Sequence, residues 1–131
     1  MALRKARQAR QTFVTLRSME ELPVIAKTYE VYKKIQELND GLDKKYRNSI
    51  GEPLIRQCEA VLRQLLIAKY APKAVREQFL IRGNAEAELL TLQLRSVLER
   101  KLANETNVLK IQANLAEARR MLGGWLKSVR S

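Results

Sequence analysis

The 131-residue sequence contains no histidine, a single cysteine, three prolines and few aromatic residues, which amount to 5% of the chain. Without histidine, imidazole-based acid–base catalysis and imidazole metal ligation are excluded. A lone Cys58 forms no intramolecular disulfide, which argues against a disulfide-stapled secreted protein. No uncharged apolar run approaches the length of a membrane span, and the N-terminus lacks the apolar stretch of a signal peptide. The sequence therefore predicts a soluble protein of a reducing, cytoplasmic compartment.

Basic residues outnumber acidic ones in this sequence. It contains 25 Lys and Arg and 14 Asp and Glu, which gives a net charge of +11. Residues 1–19 carry basic side chains and no acidic one, so we interpret them as a basic arm that need not be ordered. The remaining residues, 20–131, are also basic, yet 46% of the chain is apolar and supports one folded domain. This balance favours a polyanionic partner, and a merely solvated basic surface is the alternative.

Four helical stretches fit between the glycine and proline breakers. The first begins near Leu22, ends at Asn39-Asp40-Gly41 and carries an apolar stripe of Ile25, Tyr29, Tyr32, Ile35 and Leu38. The second ends at Ala71-Pro72 and has a stripe of Leu54, Cys58, Val61 and Leu65. Its start is open, because Ser49 and Pro53 could form a cap and first turn, or the helix could begin near Asp43 and bend at Pro53.

The third and fourth stretches complete the predicted fold. The third runs from about Lys73 to Lys101 and has its weak point at Gly83-Asn84, with Val75, Phe79, Leu90, Leu94 and Val97 as its apolar residues. The fourth follows a cap at Asn104 and shows the clearest periodicity, through Val108, Ile111, Leu115, Ala118, Leu122, Trp125 and Val129. Since the stripe passes through Gly123-Gly124, we favour a continuous helix over a C-cap at Gly123. The sequence predicts an all-α, antiparallel up-down-up-down four-helix bundle.

Catalysis and cofactor binding find little support in these residues. The acidic residues sit beside Lys or Arg along helix surfaces rather than in convergent pairs, and no phosphate-binding glycine motif is present. Cys58 lies on an apolar stripe and is interpreted as a core residue rather than a nucleophile. Tyr29, Tyr32, Phe79 and Trp125 could stack on bases, but core or subunit-interface positions are favoured. We expect no enzyme activity, no metal and no cofactor.

Basic residues on rigid helices are the remaining functional signal, because guanidinium and ammonium groups contact phosphates irrespective of sequence. Arg56 and Arg63 are spaced to share one helix face, and the other candidates occur in short clusters or near the C-terminus. The predicted nucleic-acid contacts are Arg47, Arg56, Arg63, Arg119 and Arg120, supported by Lys44, Lys45 and Lys127.

Three segments resemble a known protein family. The run Arg120-Met121-Leu122-Gly123-Gly124-Trp125-Leu126-Lys127 resembles the ending RMLGGWLK of the accessory variability determinant proteins of diversity-generating retroelements. The segment Lys27-Thr28-Tyr29-Glu30-Val31-Tyr32-Lys33 resembles the family's KTYELYKW opening, and Tyr46-Arg47 with Ile50-Gly51 resembles its RFTLGQRI segment. The chain departs from the family at Pro53 and in residues 1–19.

The resemblance implies a homopentameric barrel of basic bundles that binds the retroelement's reverse transcriptase, the template RNA and DNA during mutagenic reverse transcription. It also implies an early start of the second helix, near Asp43. The opening is shared with proteins encoded in ribosomal RNA intervening sequences, so a helical RNA-binding bundle without a polymerase partner is the alternative. A further possibility is a basic amphipathic protein on anionic membranes, suggested by Leu3, Phe13, Val14 and Leu16, whereas the expected partners include no membrane.

Overall fold

The computed structural model describes residues 21–131, so the predicted basic arm lies outside the described residues. Four long helices form the described part: α1 (Glu21–Asp40), α2 (Glu52–Tyr70), α3 (Lys73–Glu99) and α4 (Glu105–Arg130). A short α-helical turn, Lys44–Tyr46, and a π-helical turn, Arg47–Gly51, lead into α2. No strand occurs between residues 21 and 131, which confirms the predicted all-α class. None of these helices is long and apolar enough to cross a membrane.

The second helical stretch begins early, with Asp43 just before its first turn, and the turns at residues 44–51 lead without a break into the first turn of α2, where Pro53 lies. The π-turn explains how the proline is accommodated. The Glu52 amide donates to the Arg47 carbonyl, five residues back instead of four, so the turn before Pro53 is wider than in an α-helix. A wider turn relieves the clash that a proline ring makes with the preceding carbonyl. The helical start near Asp43 is thus confirmed and a cap at Ser49 is wrong, whereas Pro53 does stand in the first turn of α2.

Gly51, in the same π-turn, lets α1 approach the start of α2 closely. A Cβ built on Gly51 would overlap Oδ1 and Cγ of Asn39, whose side chain packs over the glycine. Asn39 Oδ1 is buried and has no hydrogen-bond partner in the described region. A side chain at position 51 therefore requires the Asn39 side chain to move.

The core is continuous along the bundle and holds mainly Leu, Val and Ile from all four helices. In α2 and α4 the predicted stripes are buried, including Trp125 at 3% exposure, and Val129 packs against them from the edge. In α1, Ile35 and Leu38 are buried as predicted, whereas the first half of the predicted stripe is shifted by one position. The buried stripe is Val24, Thr28, Val31, Ile35 and Leu38.

The difference between the predicted and the observed buried stripe of α1 has a simple cause. Thr28 is acceptable inside because its hydroxyl donates to the Val24 carbonyl at 2.7 Å. Smaller side chains then face the core, and the larger Tyr29 is left 52% exposed, which contradicts its predicted place on a core stripe. The first turns of α3 differ in the same way, because Val75 is exposed and Phe79 only half-buried.

Both glycine-containing helices run through their predicted weak points. α3 passes Gly83 without a break, and α4 continues through Gly123 and Gly124 to Arg130, so the C-cap at Gly123 is wrong. The predicted Asn104 cap is confirmed, since its side chain accepts from the Asn107 amide at 3.1 Å. α3 ends in a Schellman motif with Lys101 in the left-handed position, at φ 54°.

Candidate nucleic-acid interface

Arg56 and Arg63 are both exposed on the outer face of α2, seven residues apart on the same side of the helix. Arg56 faces the Glu52 carboxylate at 3.5 Å, in a pair whose members are both about half exposed or more. Exposed pairs of this kind contribute little and are readily exchanged for another anion. Arg63 forms no ion pair or hydrogen bond with the described residues, so its guanidinium is available to a ligand.

Arg47 forms hydrogen bonds that stabilise the fold. Its Nε donates to the Leu42 carbonyl at 3.1 Å, and a terminal nitrogen donates to the Asp40 carbonyl at 3.2 Å. These bonds hold the connection between α1 and the lead-in to α2. Lys44 and Lys45 are exposed beside it, and the Lys45 ammonium lies 5.0 Å from the ring centroid of Tyr46.

Arg119 and Arg120 are neighbours in α4 but point in different directions. Arg119 is half-buried and donates to Thr91 Oγ1 of α3 at 3.3 Å. Arg120 is exposed and pairs with both carboxylate oxygens of Glu117, at 2.9 Å for one of them. That hydrogen bond lowers the pKa of Glu117 and raises the pKa of Arg120. Lys127, one turn before the end of α4, is exposed.

The structure therefore distributes the eight predicted residues over three places rather than one. Arg56 and Arg63 share the outer face of α2, Arg47, Lys44 and Lys45 surround the start of that helix, and the remaining three lie along the second half of α4. The first two groups lie on one continuous helical segment, whereas α4 packs mainly against α1 and α3.

An open groove beside Arg63 was not predicted. It has a volume of about 920 Å³ and crosses the outer surface of α2 from α1 to the start of α3. We call it the aromatic groove. Its lining residues are Tyr29, Tyr32, Glu59, Leu62, Arg63, Leu66, Ile67, Tyr70, Ala71, Pro72, Val75 and Phe79.

The corner between α2 and α3 fixes one end of the aromatic groove. Arg76 donates from Nε to the Ala68 carbonyl at 2.8 Å and from a terminal nitrogen to the Ala71 carbonyl at 3.0 Å, which caps α2. Tyr70 projects from this corner and is 72% exposed. A sequence signal for the groove existed, because Leu66, Ile67 and Tyr70 are apolar residues that fall off the core stripe of α2.

Each of three rings in the aromatic groove has a basic group over it. The distances to the ring centroids are 5.0 Å for Lys33 over Tyr29, 5.2 Å for Lys69 over Tyr70 and 5.6 Å for Arg82 over Phe79. Such placements are typical of cation–π attraction. Tyr29 also lies near Tyr32, with ring centroids 6.4 Å apart.

Glu59 is the single acidic residue among the described residues that line the aromatic groove. Its Oε2 accepts a hydrogen bond from the Tyr32 hydroxyl at 2.8 Å. This hydrogen bond, together with burial, raises the pKa of Tyr32, so the phenol remains protonated and neutral. Glu59 thus accepts its hydrogen bond from a neutral phenol of the groove, while basic groups lie over three of the other rings.

Two features of the described region bear on other chemistry. Residues 21–131 contain no group of three or more Cys, Asp or Glu side chains that could hold a metal ion. Cys58 is fully buried in the hydrophobic core, and burial raises the pKa of its thiol to about 12. Since the thiolate is the reactive species, Cys58 is inert in the folded protein, as its place on the core stripe predicts.

Comparison with known proteins leaves the family open, because no protein-family model matches the chain and no curated protein matches it either.

Proposed function

We propose that this chain is a non-enzymatic accessory protein of a diversity-generating retroelement. It binds the reverse transcriptase and nucleic acid, template RNA and complementary DNA, in the cytoplasm and supports mutagenic reverse transcription. The polymerase supplies the chemistry. The chain supplies a rigid helical scaffold whose outward basic side chains hold phosphates.

The observation that carries nucleic-acid binding is the excess of basic residues on exposed helix faces. The net charge is +11, and Arg63 stands free of any carboxylate within residues 21–131. Binding by such groups releases counterions from the nucleic acid and weakens steeply as salt rises. The retroelement part of the proposal rests on the resemblance of residues 120–127 and 27–33 to the accessory family.

The finer architecture belongs to the same proposal. We infer an antiparallel up-down-up-down bundle, and hydrogen bonds from Gln57 to Glu86 and from Arg119 to Thr91 support that pairing of neighbouring helices. We further infer assembly as a homopentamer. Four large apolar side chains outside the aromatic groove are 45–51% exposed and so are available for contacts between copies, and they are Ile81, Leu89, Leu92 and Leu109.

RNA affinity at two salt concentrations tests the nucleic-acid half of the proposal. The variant that carries Arg56→Glu and Arg63→Glu should bind RNA at least about tenfold more weakly at low salt, because two phosphate contacts become repulsions. Its helicity should match the wild type. The matched control carries Arg95→Glu and Arg130→Glu, which change the same charge on α3 and α4, where each arginine already pairs with a carboxylate. Equal RNA affinity of the first variant and the wild type would reject this face.

Light scattering at high salt on nuclease-treated protein tests the assembly, because salt screens phosphate-mediated association. The proposal predicts about five times the chain mass of 15.1 kDa. A monomer contradicts the pentamer.

A helical RNA-binding bundle without a polymerase partner is the second candidate. The segment Lys27–Lys33 resembles both classes, so it favours an RNA-binding bundle as much as a retroelement accessory protein. Co-purification with a retroelement reverse transcriptase distinguishes them, since only the accessory protein is expected to bind the polymerase.

A further inference from the structure

The aromatic groove combines aliphatic surface with the faces of aromatic rings. Its floor is aliphatic, from Leu62 and Leu66 of α2, and aromatic rings stand at its sides and at its end. Tyr29 is 52% exposed and Tyr70 is 72% exposed, so both present ring surface to solvent. These rings and the aliphatic side chains between them offer an apolar surface to a ligand.

The charges around the aromatic groove favour an anionic ligand. Lys33, Lys69 and Arg82 lie over its rings, and Arg63 lines it without an ionic partner among the described residues. The one lining carboxylate, Glu59, accepts a hydrogen bond from Tyr32 and is outnumbered by these four basic groups. A suitable ligand therefore alternates flat apolar surface with negative charge.

Single-stranded nucleic acid has this alternation, because each nucleotide carries a base with two π-faces and a phosphate. In a duplex the faces are covered by neighbouring bases, and only phosphates and base edges remain accessible. The Lys33 and Lys69 ammonium groups lie 5.0 Å and 5.2 Å from the ring centroids of Tyr29 and Tyr70, so a base stacked on either ring would have a cation near its phosphates.

We propose that the aromatic groove binds single-stranded nucleic acid, with bases stacking on Tyr29 and Tyr70 and with Arg63 contacting a phosphate. This inference rests on the proposed nucleic-acid binding and gives it a site and a preference for unpaired strands. The aromatic rings set the preference for a single strand, and the surrounding cations set the affinity and its dependence on salt.

The test measures binding of the full chain to a labelled oligouridylate of about 12 nucleotides and to a duplex of the same length. The variants are Tyr29→Leu, Tyr70→Leu and their combination, which keep apolar bulk and remove the π-face. Tyr46→Leu is the matched control, because Tyr46 also has a lysine over its ring but lies at the start of the second helical segment, outside the groove. Circular dichroism confirms that each variant is folded.

We expect the wild type to prefer the single strand, and each groove substitution to weaken single-strand binding by about fivefold to a hundredfold, the usual range for one stacked base. Duplex affinity and the Tyr46→Leu variant should stay within about twofold of the wild type. Photocrosslinking of a 5-bromouridine oligonucleotide should label peptides that contain Tyr29 or Tyr70.

Three results would overturn the groove assignment. The first is unchanged single-strand binding by the folded double variant while the wild type still binds RNA, which leaves the proposed function standing. The second is loss of assembly mass in Tyr70→Leu, which assigns the groove to a second copy. The third is loss of reverse-transcriptase binding with normal oligonucleotide binding, which assigns it to a protein. Failure of the wild type to bind either strand at low salt would reject nucleic-acid binding as a whole.

Discussion

The close approach of Asn39 to Gly51 predicts that Gly51→Ala destabilises the protein although alanine is the better helix former. In an exposed helix interior, replacing glycine by alanine gains about 1 kcal/mol. At Gly51 the new Cβ overlaps the Asn39 side chain, and overpacking of this kind costs about 1–3 kcal/mol. The two effects oppose each other, and the overlap is expected to dominate.

Gly124→Ala isolates the helix-propensity effect. Gly124 also lies inside a helix, but a Cβ built there meets nothing within 4 Å among the described residues. We expect Gly124→Ala to stabilise the protein by about 0.5–1 kcal/mol. The difference between the two variants should then equal the cost of the overlap, about 1–3 kcal/mol.

Denaturant unfolding at fixed protein concentration measures both values, since an assembling protein has a concentration-dependent stability. A double-mutant cycle with Asn39→Ala completes the test, because Gly51→Ala should become stabilising once the Asn39 amide is gone. Equal free energies of unfolding for Gly51→Ala and Gly124→Ala, with no coupling to Asn39, would refute the packing of the π-turn described above.

Three further predictions concern the core and a helix end. Trp125→Ala should cost about 3–5 kcal/mol of unfolding free energy, whereas Tyr70→Ala, at a site that is 72% exposed, should change it by less than about 0.5 kcal/mol. Lys101→Gly should stabilise the protein by about 1 kcal/mol in thermal unfolding, because glycine adopts the left-handed conformation without strain, and Lys101→Ala should bring no gain. Burial raises the pKa of Cys58 from 9.0 to about 12, so its contribution to stability is present below pH 9.0 and decreases as the pH rises toward 12. Cys58→Ala should therefore lose less stability than the wild type above pH 9.0, and the native thiol should resist a thiol reagent until the protein unfolds.

Sequence periodicity predicted most of α4 and α2 because their apolar residues are large and regularly spaced. In α4 the alternation from Val108 to Trp125 leaves a single helix face for the core, and two glycines do not end the helix since burial of that face outweighs their low propensity. The start of the second helical segment could not be derived from local chemistry. It depends on the π-turn at residues 47–51, which is held in place by packing against α1.

The aromatic groove was missed because α1 offers two overlapping apolar stripes. One contains Ile25, Tyr29 and Tyr32, and the other contains Val24, Thr28 and Val31. Larger side chains favour the first stripe by area alone, but close packing of the helices selects the second. Tyr29 is thereby placed on the surface beside residues of α2 and α3, a neighbourhood that depends on tertiary structure and not on spacing.

Co-elution with a retroelement reverse transcriptase tests the central claim most directly. The purified chain is mixed with the polymerase and its template RNA, and with an unrelated reverse transcriptase as the control, at a salt concentration that suppresses non-specific phosphate contacts. The account predicts a stable complex with the retroelement enzyme alone, and increased synthesis of complementary DNA in that complex. Independent elution of the chain from both polymerases, with RNA binding intact, would contradict the accessory role and favour a solitary RNA-binding bundle.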